Sequence, residues 1–177
     1  QTISSVLKIP QTPITVNETN TGLTEQIKNA DYQEQLQKTV EFWENLLARG
    51  TDFLIPHKKT LDTLRTGLVY LLIARNKIGD RYEQYVSRVQ YPGYYLRDAI
   101  HILRAYDLYG YPDLSSENIR FIQGGGLNPD PNDNLDLSKY GDMLWNYAEH
   151  YLFTGDKKFA REIIPEAKAI ITWCEKV

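Results

Sequence analysis

The sequence predicts an all-α protein. Apolar residues recur at helical spacing from Asp31 onwards, and the connections between these stretches are mostly short and contain Gly or Pro. Almost no stretch alternates between apolar and polar residues as a strand would. Because short connections join antiparallel neighbours, the helices are expected to pair as hairpins.

Residues 1–30 lack the helical pattern and are predicted to be extended. They contain two prolines, many Thr and Asn, and only brief apolar alternation. Two interpretations stay open, a linker or the last strand of a preceding β domain. No intact secretion signal is visible, and a chain that starts at Gln1 is expected to begin inside a longer protein. The helical domain is placed at 31–177.

The first two predicted helices follow from their apolar stripes. Leu36, Val40 and Trp43 share one face of the first helix, which Gly50 ends. The second follows Ile55-Pro56 and is apolar nearly all round, which predicts deep burial. Four further helices are predicted at 96–109, at 115–123 with a serine cap (Ser115 or Ser116), at 138–153, and after Asp156 as N-cap with a break at Pro165.

Composition narrows the classes of function. Of 177 residues, 42% are hydrophobic and 24% charged, and the formal net charge is −3. A phosphate backbone calls for a basic surface, so nucleic acid is not an expected partner. No apolar run reaches the ~20 residues that span a bilayer, so no membrane association is expected.

Neither a metal nor a cofactor is predicted. Cys174 is the only cysteine, in an apolar stretch that predicts burial, and no Cys/His group has zinc-ligand spacing. The Asp/Asn-rich loop 130–136 has oxygens that suit calcium but lacks EF-hand spacing, which favours an ordinary solvated loop. His57, His101 and His150 lie apart and are interpreted as packed or surface residues.

The chemically informative bias is aromatic. Thirteen tyrosines and three tryptophans are a heavy load for this length, and many fall where loops meet helices. Flat rings with a polar tip suit the C–H faces of sugars, but they also serve as wedges between helices. Composition leaves both interpretations open.

The segment Tyr91–Ala99 is the most specific motif. Asp98 near a helix start could simply complement the helix dipole, with Arg97 as a solvated neighbour. Alternatively, the carboxylate and the guanidinium bind vicinal hydroxyls of a sugar while Tyr94 or Tyr95 stacks on the ring.

Tyr94-Tyr95-Leu96-Arg97-Asp98-Ala99, followed by Asp107-Leu108-Tyr109-Gly110, resembles a signature of the six-hairpin glycosidases, which include glucoamylase-like and rhamnosidase-like enzymes. The Trp43 region, Ile55-Pro56 and the segment from Gly155 to Trp173 fit the same pattern. The similarity covers roughly residues 31–177, about three of six hairpins. It implies helical hairpins that form about half of an (α/α)6 toroid.

The resemblance implies that Arg97 and Asp98 contact the sugar at the floor of the pocket. The full predicted substrate-binding set is Arg97, Asp98, Tyr95, Tyr94 and Trp145. It places a general acid at Asp142, in Tyr140-Gly141-Asp142, where some relatives have Tyr-Gly-Glu. Loss of one methylene could misplace the proton donor by about an ångström and cost on the order of 10²-fold in rate. Asp142 could instead be an acidic residue that complements the dipole of its helix. The catalytic base of the family comes from a late hairpin that these residues do not include.

The leading hypothesis is therefore a fragment of an inverting glycoside hydrolase that acts on neutral oligosaccharides, with little turnover by this chain alone. The alternatives are a non-catalytic carbohydrate-binding or remnant module, and a polysaccharide lyase-like toroid. Three hairpins cannot close a ring, so we expect either self-association through the open flanks or a missing second half of the barrel. The sequence does not indicate the cellular compartment. The resemblance implies secretion or a periplasmic location, because members of the family usually act on polysaccharides outside the cell.

Overall fold

The computed structural model describes residues 21–124 and 138–176, which are mostly helical. They form α1 (Thr21–Asn29), α2 (Tyr32–Ala48), α3 (Lys58–Ile73), β1 (Arg75–Ile78), β2 (Arg81–Gln84), α4 (Leu96–Tyr109), α5 (Pro112–Gly124), α6 (Ser138–Thr154) and α7 (Lys157–Cys174). This confirms the all-α class, with one small sheet added. The chain divides into two compact units, Gln1–Ala48 and Arg49–Val177.

The first unit contains α1 and α2. Helix α1 contradicts the predicted extended conformation over 21–29, because a helix of nine residues is too short for periodicity to reveal it. Residues 1–20 lie outside the described residues. Helix α2 begins where predicted, and the backbone N–H of Glu34 donates to the Asp31 carboxylate at 2.9 Å. No side chain of α2 is buried.

Helix α3 opens the second unit and buries only one side. The His57 side chain caps its start by accepting from the Thr60 backbone N–H at 3.3 Å, a role that the sequence did not indicate. Leu68 and Leu72 are buried. Tyr70 and Ile73 are 70% and 47% exposed, so the predicted deep burial of the whole helix was wrong.

The hairpin β1–β2 was not predicted. Its strands are only four residues long and rich in charge, and Gly79, at a φ of 60°, makes the turn. Gln84 at its end is fully buried. The Gln84 amide donates to the Leu71 carbonyl at 3.1 Å, and its Oε1 accepts from the Tyr106 hydroxyl at 2.7 Å. These bonds fix the hairpin to α3 and α4.

Helices α4 to α7 form two consecutive hairpins, α4–α5 and α6–α7, and α4 packs most extensively on α6. The residue numbers of contacting partners increase in the same direction along both helices, so α4 and α6 run parallel. The Asn146 amide donates to the Ile100 carbonyl at 3.3 Å. Nearer the C-terminal ends of both helices, the His150 ring contacts Asp107. The core consists mainly of side chains from these helices, among them Ile100, Leu103, Tyr106, Ile119, Met143, Phe159 and Ile170.

Three predicted details of the helices were wrong. Helix α5 begins at Pro112, where proline suits the first turn, so Ser115 is buried inside it rather than capping it. Helix α7 passes through Pro165 without a break, because the carbonyl freed by proline belongs to Arg161, which is exposed to water.

Cys174 is exposed, since it lies in the last turn of α7 among exposed neighbours. Asp156 caps α7 as predicted, accepting from the backbone N–H groups of Lys158 and Phe159.

Gly110 ends α4 in the left-handed region, at a φ of 85°. A Cβ added there would lie 2.8 Å from the backbone nitrogen of Thr51. We expect Gly110→Ala to lower the free energy of unfolding by about 2 kcal/mol, because it combines backbone strain with this contact. Urea unfolding would measure the loss.

Gly141→Ala is the matched control. Gly141 lies inside α6, and a Cβ there would meet nothing within 4 Å. Alanine favours a helix interior over glycine, so this variant should gain about 0.5–1 kcal/mol. Equal effects of the two substitutions would contradict the close approach of Gly110 to Thr51.

Asp107 and His150 join α4 to α6 inside the core. The His150 Nδ1 and the Asp107 Oδ1 are 2.9 Å apart, and the two residues are 1% and 0% exposed. The Phe159 ring lies edge-on to the imidazole, 4.4 Å between centroids. Removal of either partner leaves a buried polar group unmatched.

We expect Asp107→Leu and His150→Leu each to lower the free energy of unfolding by about 3 kcal/mol, with a coupling of at least about 1 kcal/mol in a double-mutant cycle. Arg104 and Glu149 join the same helices nearer the surface, 2.8 Å apart, and serve as the matched pair. Their coupling should stay below about 1 kcal/mol. If Asp107 and His150 couple no more strongly than Arg104 and Glu149, the buried pair does not join α4 to α6 as proposed.

Candidate functional site

The predicted binding residues gather at the N-terminal ends of α4 and α6. Arg97 and Asp98 lie in the first turn of α4, and Tyr95 is its N-cap residue. Ser138 and Asp142 lie in the first two turns of α6. Because α4 and α6 run parallel, these two helix ends open on the same side of the second unit.

Arg97 connects the two helix ends. Its Nη2 donates to the Ser138 hydroxyl, and its Nε lies 3.6 Å from Oδ2 of Asp142. The Arg97 side chain remains 53% exposed and that of Asp142 28% exposed, so both can be reached from solvent. The structure thus brings together two of the predicted residues from different hairpins. Ser138 was predicted only as a helix start.

The two acidic candidates differ in their surroundings. Asp98 is exposed in the first turn of α4, where a negative charge complements the helix dipole. Asp142 lies beyond the first turn of α6, where the dipole effect has faded. Its neighbour is the Arg97 guanidinium, so the ion pair and not the dipole accounts for its position.

The adjacent tyrosines point in different directions. Tyr95 is 47% exposed, and its ring contacts that of Tyr91 edge-on, 6.0 Å between centroids. The Tyr94 ring packs against Phe121, 5.6 Å between centroids, and its hydroxyl is buried. Tyr95 is therefore the one of the two that is placed to stack on a ligand.

A polar and aromatic surface continues from these residues along α4 and α6. Trp145 is 40% exposed and contacts the His101 ring, 5.6 Å between centroids. One turn further, Arg104 pairs with Glu149. We call this surface the α4–α6 face, and it consists of Arg97, His101, Arg104, Asp142, Trp145 and Glu149. Sequence reasoning missed His101, although it follows Arg97 at the helical spacing of four residues.

A partly buried polar cluster is formed by Tyr94, which precedes α4, Tyr147 of α6 and Glu166 of α7. The Tyr94 and Tyr147 hydroxyls and Oε2 of Glu166 are inaccessible to water. The Tyr147 hydroxyl lies close to the Glu166 carboxyl. Burial raises the pKa of Glu166, partly offset by the nearby Tyr147 hydroxyl. Burial, followed by the charge of Glu166, raises the pKa of Tyr147. Burial, followed by Glu83, raises the pKa of Tyr94.

The raised pKa of Glu166 predicts a pH dependence of stability. The native state holds the proton more tightly than the unfolded chain, so the free energy of unfolding should fall as pH rises above the ordinary value of 4.5. Glu166→Gln should remove this component, because glutamine cannot ionise. Unfolding midpoints in urea, measured from acid to neutral pH, would show the difference.

Glu175→Gln changes the same charge at the exposed end of α7 and is the matched control. Glu175→Gln leaves Glu166 in place, so the fall of its free energy of unfolding with rising pH should remain. A profile of Glu166→Gln that also keeps this fall would contradict the burial of a carboxyl group at this place.

No group of three or more His, Cys, Asp or Glu residues in the described ranges could hold a metal ion. The oxygen-rich loop 130–136 lies outside those ranges. Within residues 21–124 and 138–176, every helix is too short or too polar to cross a membrane.

Comparison of the chain with protein-family models, with curated proteins and with solved structures finds no match.

Proposed function

We propose that the second unit belongs to a carbohydrate-active α/α toroid and holds a neutral sugar at the N-terminal ends of α4 and α6. The observation that carries this proposal is the position of Arg97, whose guanidinium contacts Ser138 and Asp142. Residues from two hairpins, far apart in the sequence, thereby share one exposed surface. The proposal assumes part of a six-hairpin ring, to which α4–α5 and α6–α7 contribute two hairpins.

The groups at this surface suit a ligand rich in hydroxyls. A guanidinium donates hydrogen bonds in a planar fork, and a carboxylate accepts them. Arg97 and Asp98 can therefore hydrogen-bond two adjacent hydroxyls of a sugar. Tyr95 offers an exposed ring for the C–H face of the sugar, and Trp145 offers another further along α4–α6. The paired charges of Arg97 and Asp142 favour a neutral ligand over a strongly anionic one.

The packing of the helices supports the proposed architecture. In a ring of hairpins the first helix of each hairpin lies parallel to the first helix of the next, as α4 and α6 do. Their N-terminal ends then gather on one side of the ring. Arg97, Asp98 and Asp142 all lie on that side, which is where a ring of this kind would bind its substrate.

In the hydrolase form of the proposal, Asp142 donates the proton to the leaving oxygen during inversion. This needs a second carboxylate about 6.5–9.5 Å from the first, to activate water. It also needs Arg97 to release Asp142 and turn towards the substrate, so that the Asp142 carboxyl can face the leaving oxygen.

The same ion pair favours a second candidate, a module that binds carbohydrate without cleaving it. With Asp142 engaged by Arg97, the surface serves as a set of hydrogen-bonding groups and needs no proton transfer. This candidate keeps the same ligand class and the same residues. It differs from the first only in turnover.

Titration with maltotriose and with cellotriose, followed by calorimetry or by amide chemical shifts, tests the proposal. We expect millimolar binding of at least one of them, weakened about tenfold or more by Asp98→Asn and by Arg97→Gln, since bonds to charged groups are worth about 1.5–3 kcal/mol. Arg161→Gln, an exposed arginine on α7, should bind as the unmodified chain does.

Product analysis on the same samples separates the two candidates. Binding without release of glucose is the outcome expected of this chain. Hydrolysis lost in Asp98→Asn would establish a complete active site and overturn the partial-ring architecture. Failure of neutral, acidic and amino oligosaccharides alike to shift any resonance of α4 or α6 would end the carbohydrate proposal.

A further inference from the structure

A concave surface lies between the C-terminal end of α3 and residues 86–90, which follow β2. Its volume is about 440 Å³. Ligand sites of small molecules occupy roughly 300–1,000 Å³. The walls are mostly apolar, formed by Tyr70, Ile73, Val86 and Val89. We call this surface the α3 groove.

Hydrogen bonds fix the segment that forms the second wall of the α3 groove. The Tyr85 backbone N–H donates to the Ala74 carbonyl at 3.2 Å, which ties the start of the second wall to the end of α3. The Ser87 hydroxyl accepts from the backbone N–H groups of Val89, Gln90 and Tyr91 at 3.3, 3.0 and 3.1 Å. The segment is therefore tied to the end of α3 and closed into a turn by Ser87.

Among the residues that the structure describes, Arg88 supplies the one charge that lines the α3 groove. Its Nη1 donates to Oδ1 of Asn76 at 2.6 Å, and the Asn76 amide donates to the Tyr85 hydroxyl at 3.2 Å. Across the described residues, Arg88 forms no ion pair with a carboxylate. The guanidinium is thus positioned by neutral groups, which leave its charge uncompensated.

We propose that the α3 groove binds an amphipathic carboxylate, such as a medium-chain alkyl acid. The alkyl chain lies against Tyr70, Ile73, Val86 and Val89, and the carboxylate accepts two hydrogen bonds from Arg88. An apolar wall next to a fixed, uncompensated cation matches this chemistry in both parts. A neutral sugar would cover apolar walls with hydroxyls and leave the cation unmatched. The proposal does not depend on the sugar site proposed at the N-terminal ends of α4 and α6.

Octanoate and octanamide form a matched pair of probes, with the same chain and different charge. We expect octanoate to bind in a saturable manner and to shift the amide resonances of residues 70–74 and 86–90. Arg88→Gln should weaken octanoate at least about tenfold and leave octanamide unchanged. Tyr70→Ser should weaken both probes, because it removes apolar wall and not charge.

Arg65→Gln, an exposed arginine earlier on α3, is the control for a general loss of positive charge and should bind octanoate normally. Arg88 is exposed and lies outside the helices and strands, so Arg88→Gln is expected to keep its circular dichroism spectrum. Equal octanoate affinity of Arg88→Gln and the unmodified chain would overturn the proposal. So would octanamide binding as tightly as octanoate, or shifts that never saturate.

Discussion

The parallel contact of α4 and α6 is the constraint on which the second unit depends. Asp107 and His150 meet in the core, fully removed from water. A shift of one helix along the other would leave both buried groups without partners. Each unpaired group would cost about 1–3 kcal/mol of stability. The bond from Asn146 to the Ile100 carbonyl sets the same register earlier along the helices. The pair therefore specifies a single alignment, whereas apolar packing alone would tolerate several.

That alignment determines what the surface can do. With Asp107 beside His150, the N-terminal turns of the two helices stand level, and Arg97 reaches Ser138 and Asp142 across the gap. The hairpin β1–β2 contributes from the other side. Gln84 secures it to α3 and α4 through buried hydrogen bonds, and the segment after it carries Tyr91 and Tyr95. Core register and surface chemistry are thus linked through the same helices.

Sequence reasoning predicted the parts of this arrangement that repeat locally. The bounds of α4 and the caps of α4 and α7 follow from Gly110 and Asp156, whose signals lie within a few residues of the helix ends. Tertiary contacts decided the rest. In the sequence Gln84 is an ordinary polar residue, and only its partners on α3 and α4 distinguish it. Tyr94 differs from Tyr95 only by the direction in which the loop presents it. Proximity of Arg97 to Asp142 came from helix packing, which periodicity does not encode.

Two arginines show how surroundings divide the chemistry of one side chain. Arg97 lies beside a carboxylate, so the surface around it is nearly neutral and suits ligands that exchange hydrogen bonds. Arg88 is held by the Asn76 amide, which orients the guanidinium as firmly but neutralises nothing. Arg88 is exposed to water and has no carboxylate beside it among the described residues, whereas Asp142 already balances Arg97. A neutral ligand and an anionic amphiphile would therefore each prefer a different surface of the same unit, and competition between them is not expected.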